Sequence, residues 1–475
     1  MRKTKIICTI GPASDNKEKL KEMMLAGMNV CRINFSHGSA NEQNEKVDNI
    51  KEVRGKLNLP VSLLLDTKGP EIRIGKFEND KIKLNKDSIF TLTNNDELGN
   101  ETHVSISYKE LYRDVHIGSE ILLDDGMLQL TVIEIINKDI VCKVIHGGPL
   151  SNNKSVNVPN LSLNLPSLTE KDINDIKFGI EKGFDYIAAS FVRKVDDVLA
   201  IRKVLEENND NHIKIISKIE NQEGITNFDE ILKESDGIMI ARGDLGVEIP
   251  MEEVPVIQKK MIKKAYSSGK IVITATQMLE SMINNPNPTR AEVSDVANAI
   301  FDGTSAIMLS GETATGSYPV KCIETMDKIA RNVESSIKYW KRFSNRPLTE
   351  DDFEFKIDQA MCMSAMNTNA KAICCFTNTS NTPRIITSFT PECPIIAITK
   401  DKALYNQLSL FWGVIPKLYK GTEEKTRNII IDSLYKAKEE GLLNDKDIVI
   451  IAGGQYVYEK YSSDINKSIG GIFQI

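Results

Sequence analysis

The sequence predicts an α/β fold: a (β/α)8 TIM barrel with an inserted small antiparallel β-barrel domain and a C-terminal α/β sheet domain. Eight short β-branched runs alternate with longer amphipathic stretches over roughly 250 residues, which is the size and rhythm of a TIM barrel. Segments of period two interrupt the alternation once, and a second α/β pattern follows it. No G-x-G-x-x-G turn follows the first run, which disfavours the main alternative, an open doubly wound sheet.

The eight runs are nearly continuous apolar stretches, as expected of parallel strands covered on both faces. In chain order they are Lys5–Ile10, Asn29–Phe35, Val61–Asp66, Tyr186–Val192, Ile213–Glu220, Gly237–Asp244, Ile271–Thr276 and Ala306–Glu312. Apolar residues at i, i+3 and i+4 predict helices between them, for example Val195–Glu207, Ile225–Glu234 and Pro288–Asp302. The last example opens with a proline and closes before a glycine, as helices often do.

Two other regions have their own patterns. The period-two segments predict an antiparallel module after the third barrel strand, where a lid over an active site would lie: Lys81–Leu84, Ser88–Leu92, Glu120–Leu123, Gln129–Ile136 and Ile140–Ile145. A polar connector, 338–352, precedes the C-terminal strands Ala372–Phe376, Pro394–Ile398, Val414–Leu418, Ile448–Ile451 and Ile472–Ile475. The predicted domains are 1–67 with 157–340 (barrel), 68–156 (lid) and 341–475 (C-terminal domain).

The composition argues against several classes of function. The chain carries 60 Lys and Arg against 66 Asp and Glu, a formal net charge of −6, which disfavours nucleic acid or an anionic membrane as the main partner. No apolar stretch reaches the length of a signal peptide core or a transmembrane helix. Scattered cysteines without a C-x-x-C pair indicate reduced thiols. We therefore expect a cytoplasmic protein.

Polar side chains follow the predicted strands at one end of the barrel, where the active sites of TIM barrels lie. They occur at six of the eight strand ends: Arg32–Gly38, Asp66–Arg73, Lys218–Asn221, Arg242–Asp244, Thr276–Gln277 and Ser310–Glu312. Lys218 and Glu220 are two residues apart and so face the same side of a strand. One such pair is more often a solvated ion pair, but chance rarely repeats buried-side charges at six equivalent positions. The recurrence predicts a functional cavity.

The residue types in this cavity point to phosphoryl transfer. Glu220 and Asp244 are costly to cluster unless a cation neutralises them, and without His or Cys they favour Mg2+ or Mn2+ over zinc. Four cations call for a polyanionic ligand: Arg32, Arg73, Lys218 and Arg242. Cations, carboxylates and a metal together are typical of phosphoryl transfer. No P-loop or protein-kinase motif is present, so a different architecture would hold any nucleotide.

Six segments resemble those of the pyruvate kinase family. They are Asn29–Gly38, Leu65–Arg73, Ile219–Asn221, Ala241–Gly246, Thr276–Met282 and Leu309–Thr313. The resemblance covers essentially the whole chain, in the same order and with the same inserted module. It implies transfer of the phosphoryl group of phosphoenolpyruvate to ADP, giving pyruvate and ATP, by a homotetramer.

The resemblance also implies roles for the residues of the reacting centre. Glu220 and Asp244 would hold the divalent cation, and Lys218 would stabilise the phosphoryl group in transfer. Backbone amides of Ala241-Arg242-Gly243-Asp244, where a helix begins, would receive the substrate carboxylate. Thr276 and Ser310 would lie where the enolate is protonated through ordered water.

Nucleotide and monovalent-cation sites follow from the same resemblance. Arg32 and Arg73 would face the phosphates, His37 the nucleotide, and Lys154 would reach a nucleotide phosphate from the lid. The ligands of a potassium ion would be Asn34, Ser36, Asp66 and the Thr67 carbonyl. Glu71 predicts potassium dependence, because potassium-independent members tend to carry lysine at this position, whose ammonium group substitutes for the cation.

Hydroxyl groups cluster after the first C-terminal strand, at Thr377, Thr379, Ser380 and Thr382. The family often binds a sugar-phosphate activator in this loop, and ordinary helix capping is the competing interpretation. Asn381 replaces the usual glycine, and the customary Gly-rich effector loop is missing from 453–464. We therefore leave a phosphorylated effector open.

Two other classes of protein remain as alternatives. A related barrel lyase or aldolase acting on a pyruvate enolate would need the metal carboxylates and an arginine, but neither the lid nor Lys218. A catalytically inactive regulator would have lost at least one of Lys218, Glu220, Asp244 and Thr276, and all four are present.

Overall fold

The computed structural model describes residues 1–36, 38–345, 353–452 and 471–475. The strands are β1 (Lys5–Thr9), β2 (Val30–Asn34), β3 (Ser62–Asp66), β4 (Lys81–Leu84), β5 (Ile89–Thr93), β6 (His103–Ser105), β7 (Glu120–Leu123), β8 (Leu128–Ile136), β9 (Asp139–His146), β10 (Gly148–Ser151), β11 (Val156–Asn157), β12 (Tyr186–Ala189), β13 (Lys214–Ile219), β14 (Gly237–Ala241), β15 (Ile271–Ala275), β16 (Ala306–Leu309), β17 (Ala372–Phe376), β18 (Ile395–Thr399), β19 (Val414–Leu418), β20 (Ile448–Ile451) and β21 (Gly471–Gln474).

The α-helices are α1 (Lys17–Ala26), α2 (Ala40–Leu57), α3 (Leu111–Asp114), α4 (Glu170–Glu181), α5 (Val195–Glu207), α6 (Gln222–Thr226), α7 (Phe228–Glu234), α8 (Arg242–Glu248), α9 (Val254–Ser267), α10 (Arg290–Asp302), α11 (Gly311–Ala314), α12 (Pro319–Ser336), α13 (Tyr339–Ser344), α14 (Phe353–Asn367), α15 (Asn381–Ser388), α16 (Lys402–Gln407) and α17 (Thr426–Glu439). Short 3-10 turns lie at Glu280–Ile283 and Leu408–Leu410. No helix within the described ranges combines the length and the apolar character needed to cross a membrane.

The predicted barrel is confirmed. Eight parallel strands close in the order β1-β16-β15-β14-β13-β12-β3-β2, and each lies inside one of the eight predicted runs. Successive side chains of a strand face opposite ways, so Leu63 and Leu65 of β3 pack towards the helices while Leu64 faces the barrel interior. All three are fully buried, and burial of each stabilises the fold by about 1.5–3 kcal/mol.

Two of the three predicted helix examples differ in detail from the structure. α10 begins at Arg290 rather than Pro288, because Thr289 caps it and forms a reciprocal capping box with Glu292. The predicted helix Ile225–Glu234 is two helices, α6 and α7, because Asn227 leaves the helical path and donates a side-chain hydrogen bond to the Arg193 carbonyl at 2.9 Å.

The inserted module has the predicted position and one apolar core. Its strands form a six-stranded sheet, β11-β7-β8-β9-β5-β6, and a two-stranded sheet, β10-β4, that contribute to the same buried cluster. The pairing is antiparallel as predicted except between β5 and β6, which run parallel. The short strands β6, β10 and β11 lie outside the predicted segments.

The C-terminal domain is the predicted separate sheet, with the order β19-β18-β17-β20-β21. The sequence predicted a polar connector before this domain. The structure shows that this connector is not entirely a loop. Its first part forms α13, whose Tyr339 ring packs 5.2 Å from that of Trp412 and whose Phe343 ring packs 5.8 Å from that of Phe389. The rest of the connector, 346–352, lies outside the described residues.

Polar contacts join the amino-terminal face of the barrel to the C-terminal domain. The Ser62 hydroxyl donates to the Asn406 carbonyl at 2.7 Å, and the Tyr186 hydroxyl donates to the Gln407 carbonyl at 2.7 Å. The Lys5 ammonium donates to the Val414 carbonyl at 2.7 Å. Because these groups are buried, each depends on its partner in the other domain.

Lys5→Met is expected to flatten the pH dependence of stability above neutral pH. Burial, reinforced by Arg2 and opposed by Glu334, lowers the pKa of Lys5 to about 7. An unfolded chain restores an ordinary lysine pKa of about 10.4, so between these values it binds more protons than the folded chain. The free energy of unfolding therefore rises with pH in this window, by at most about 1.4 kcal/mol per pH unit, and the variant lacks that rise.

Denaturant titrations of both proteins between about pH 6.5 and 9.5 would measure this difference. The matched control is Lys21→Met, at an exposed lysine of α1. A Lys5→Met curve that rises as steeply as those of the parent and the control would contradict the assignment.

Candidate active site

A buried ammonium group lies at the carboxyl ends of β3, β12 and β13. Lys218 Nζ donates to Ser190 Oγ at 2.8 Å and to Asp66 Oδ1 at 3.2 Å, and it lies 2.9 Å from Glu220 Oε1. Ser190 Oγ in turn donates to the Thr67 carbonyl at 2.7 Å. The structure thus brings together four residues that the sequence selected, Asp66, Thr67, Lys218 and Glu220, and a fifth, Ser190, that it did not. The only sequence signal for Ser190 is its place at the end of the fourth predicted run.

Neighbouring charges keep Lys218 and Asp66 ionised. Burial alone would lower the pKa of Lys218, but Asp66 and Glu220 outweigh it and raise that pKa above the usual lysine value. Burial likewise opposes the charge of Asp66, while Arg32 and Lys218 hold the pKa of its carboxyl below the usual range. The cavity therefore presents a fixed positive charge at neutral pH.

Glu220 and Asp244 form the candidate divalent-cation site. Burial, reinforced by the charge of Asp244 and opposed by Lys218, raises the pKa of Glu220. Its Oε2 accepts from the Phe191 amide at 2.6 Å, whereas Oε1 is buried without a hydrogen bond of acceptable geometry. Within the described residues no three His, Cys, Asp or Glu side chains form a complete metal centre. Two carboxylates fit Mg2+, which usually keeps several waters and binds substrate oxygens.

A strained turn follows β15 and contacts the start of α8. Thr276 and Gln277 both have positive φ, 67° and 51°, a conformation that costs on the order of 1–3 kcal/mol per residue and is concentrated at functional sites. Thr276 Oγ1 accepts from the Gly243 amide at 2.8 Å and donates to the Ala275 carbonyl at 2.7 Å. The turn therefore holds the Thr276 hydroxyl against the first turn of α8, which carries Asp244.

Arg242 was predicted to be one of four cations that meet a polyanionic ligand. In the structure its side chain is occupied by protein partners instead. Its guanidinium pairs with Asp295 at 2.7 Å and donates to the Thr276 carbonyl at 2.6 Å and the Ala275 carbonyl at 3.3 Å. These bonds fasten α8 to the strained turn. The Arg242 side chain therefore holds the turn.

The candidate monovalent-cation residues lie on adjacent strands. Asn34 and Asp66 are register partners in the β2–β3 pair, and Asn34 Oδ1 accepts from the Ser36 amide at 3.0 Å. Arg32 Nε donates to Asp66 Oδ2 at 2.5 Å. The carboxylate, amide, hydroxyl and Thr67 carbonyl oxygens form a hard donor set that fits an alkali cation.

Arg73 and Lys154 approach from the lid and are paired there. Arg73 Nε donates to Glu71 Oε2 at 2.8 Å, and its Nη1 donates to the Asn153 carbonyl at 2.7 Å. Lys154 Nζ lies 2.7 Å from Asp124 Oδ1. Both cations are partly exposed, so both ion pairs can exchange for a ligand phosphate at small cost. His37, predicted on the nucleotide side, lies outside the described residues.

Ser310 directly precedes α11, beside a fully buried carboxylate. Glu312 Oε2 accepts from the Ser310 amide at 2.7 Å, and Oε1 accepts from the Leu279 amide at 3.0 Å. Glu312 is 0 % exposed, so it ties the end of β16 to the segment after the strained turn. Glu312 lies in a polar strand end that the sequence predicted, but its residue type alone predicted no role for it.

Loop hydroxyls of the C-terminal domain mostly bond within their own loop. Thr377 Oγ1 donates to the Thr379 carbonyl at 2.5 Å and accepts from the Thr379 amide at 3.2 Å. Thr379 Oγ1 accepts at 3.4 Å from the amide of Asn381, the first residue of α15. These bonds are local to the loop, and Ser380, which directly precedes α15, makes no side-chain capping bond. The 453–464 segment that bears on an effector lies outside the described residues.

The barrel and its charged mouth define the class of protein: a TIM-barrel enzyme of phosphoryl transfer. Two family models match the chain, described as pyruvate kinase, barrel domain, over residues 1–323 and pyruvate kinase, alpha/beta domain, over residues 356–467. The chain belongs to the pyruvate kinase family.

Individual relatives agree with this assignment. The pyruvate kinase of Bacillus licheniformis is 50% identical over 458 residues, which is 96% of this chain and 78% of that protein. The pyruvate kinase of Clostridium acetobutylicum is 49% identical over 456 residues, 96% of each chain. The crystal structure of a pyruvate kinase from Cryptosporidium parvum superposes with a TM-score of 0.93 at 39% identity, covering 100% of this chain and 96% of that one.

Proposed function

We propose that this chain transfers the phosphoryl group of phosphoenolpyruvate to ADP and protonates the resulting enolate, giving pyruvate and ATP. The observation that carries this function is the Lys218 ammonium, buried among Asp66, Ser190 and Glu220 at the barrel mouth. Charge stabilisation by a preorganised group is the main source of catalysis in phosphoryl transfer. A barrel lyase or aldolase is not favoured, since it needs neither Lys218 nor the lid.

Different residues would stabilise the transferring group, bind the substrate, orient the water that supplies the proton and bind the nucleotide. Lys218 stabilises the charge of the phosphoryl group as it moves. The amides of Gly243 and Asp244 in the first turn of α8 would receive the substrate carboxylate, the Gly243 amide exchanging its bond to Thr276 Oγ1 for the ligand. Thr276, held by the strained turn, and Ser310 orient the water that protonates the enolate. Arg32 from the barrel and Arg73 and Lys154 from the lid bind the nucleotide phosphates.

Two cations complete the proposed site. Glu220 and Asp244 would hold Mg2+ or Mn2+, which when bound supplies positive charge to the substrate oxygens. Asn34, Ser36, Asp66 and the Thr67 carbonyl would hold K+. We further propose a cytoplasmic homotetramer, with any phosphorylated effector bound near Thr377, Thr379, Ser380 and Thr382. In keeping with a reducing compartment, burial raises the pKa of Cys31 and Cys142 to about 12, which leaves these thiols unreactive.

Pyruvate formation from phosphoenolpyruvate and ADP with Mg2+ is expected in potassium and not in tetramethylammonium. Glu71→Lys should restore turnover in tetramethylammonium, because its ammonium group replaces the missing cation. Burial raises the pKa of the Glu71 carboxyl, and Arg73, whose Nε donates to Glu71 at 2.8 Å, opposes that shift. The measurement is a coupled assay of initial rates in the two salts.

Glu78→Lys, at an exposed acidic residue of the lid, is the matched control and should remain potassium-dependent. Equal turnover of the parent in both salts would keep the reaction and remove the potassium requirement. No turnover of the folded parent in either salt would contradict the proposed reaction.

A further inference from the structure

A cavity of about 1220 Å³ lies between the barrel and the C-terminal domain. Its barrel wall comes from α2 and from residues that precede β3, β12 and β13, among them Asn58, Asp185 and His212. Its opposite wall comes from α16, β19 and α17. None of the residues proposed above for catalysis or for the effector loop lines it. The cavity is therefore separate from both sites.

The lining of this interdomain cavity is positively charged in a chain that is negative overall. Three acidic side chains face it: Asp185, Asp432 and Glu440. Six basic side chains face it: Lys51, Arg54, Lys402, Lys417, Lys420 and Lys436. The chain as a whole carries a formal net charge of −6. The local excess of positive charge favours an anionic occupant.

Most of these cations are not neutralised by a carboxylate. Arg54 lies 3.6 Å from Asp185, and Lys417 pairs with Glu440. Lys51 Nζ donates to the Lys182 carbonyl at 2.5 Å and Lys420 Nζ donates to the Asn58 side-chain oxygen at 3.1 Å, both neutral acceptors. Burial and the neighbouring Arg54 lower the pKa of Lys51, and an anion beside it would favour the charged form.

Two lysines of the C-terminal wall carry the argument furthest. Lys402 on α16 and Lys436 on α17 are exposed and line the cavity, and within the described part of the chain neither has an ion-pair partner. Ordinary ligand pockets measure about 300–1,000 Å³, so the space admits a phosphorylated small molecule with its water. Tyr405 and Tyr419 also line the cavity and add aromatic side chains to its wall.

We propose that this interdomain cavity binds a phosphate monoester, of the sugar-phosphate or nucleoside-phosphate class, with its phosphate facing Lys402 and Lys436. Lysine binds phosphate as a compact point charge with charge-assisted hydrogen bonds. A dianionic phosphate would neutralise the two unpaired ammonium groups.

Calorimetric titration of the full chain with ribose 5-phosphate, AMP and ribose tests the proposal. Saturable binding of ribose 5-phosphate or AMP, with none of ribose, is expected. The double variant Lys402→Ala/Lys436→Ala should raise the dissociation constant at least roughly tenfold, since it removes two charge-assisted contacts. The matched control, Lys21→Ala/Lys263→Ala, removes two exposed lysines from outer barrel helices and should leave binding unchanged.

Several results would overturn the proposal. If the Lys21→Ala/Lys263→Ala control weakens binding as much as the double variant does, only the net charge of the chain matters. If ribose binds as tightly as ribose 5-phosphate, the phosphate is not recognised. Binding that survives the double variant but disappears in Lys218→Met belongs to the barrel mouth. Binding that survives it but disappears in Thr377→Ala/Thr379→Ala belongs to the C-terminal loop. Absence of saturable binding by the unaltered chain would also contradict it.

Discussion

Lys218→Met is expected to lower kcat at least about 100-fold, the usual scale for losing a preorganised group that stabilises transition-state charge. Methionine fills a similar volume but leaves Asp66 and Glu220 without the ammonium that lies 3.2 Å and 2.9 Å from their oxygens. The interaction is proposed to strengthen as charge develops during transfer. The KM for phosphoenolpyruvate should therefore change much less than kcat.

Steady-state kinetics at saturating Mg2+ and K+ would measure both constants, with circular dichroism to confirm the fold. Lys214→Met is the matched control, because Lys214 begins the same strand at its opposite end. The control should retain nearly the parent rate. A near-normal kcat for the folded Lys218→Met variant would remove Lys218 from the reaction.

Glu220→Gln is expected to weaken apparent Mg2+ affinity by at least about tenfold. Loss of even an outer-shell partner of a metal ligand commonly costs 10–100-fold, and Glu220 is proposed to bind the cation directly. The amide can still accept from Phe191, now 2.6 Å from the carboxylate, so the local fold should persist. Titration of the rate with Mg2+ at fixed substrate gives the midpoint.

Glu230→Gln provides the control for that titration, since Glu230 is an exposed residue of α7. Its Mg2+ midpoint should match that of the parent. A Glu220→Gln midpoint equal to the control's, with unchanged kcat, would place the cation elsewhere.

The parts of the fold that sequence patterns predicted are those set by short-range periodicity. All eight barrel strands lie within the predicted runs because a strand buried on both faces must be apolar throughout. The Lys218–Glu220 pair was predictable for a similar reason, since residues two apart on a strand share a side. The strands β6 and β11 have three and two residues, too few for a period to show. Strand β10 begins with Gly148 and Pro149, two residue types that are uncommon in strands.

Other features depend on partners distant in sequence. The Arg242 guanidinium turns to Asp295, 53 residues further along the chain, and no local pattern indicates that pairing. Ser190 is identified as a residue of the site only through its contact with Lys218, which comes from another strand. The positive φ of Thr276 is likewise set by tertiary bonds, since a β-branched residue has no intrinsic preference for it.

The polar contacts between the amino-terminal face of the barrel and the C-terminal domain mean that the barrel cannot be separated from that domain as an independent unit. An excised barrel fragment would present Lys5, Ser62 and Tyr186 at its floor without the carbonyls of residues 406–414 that now accept from them. The apolar cluster inside the barrel also continues into the C-terminal sheet, so excision would expose part of a shared core. Expression of the barrel by itself should therefore give an aggregation-prone product.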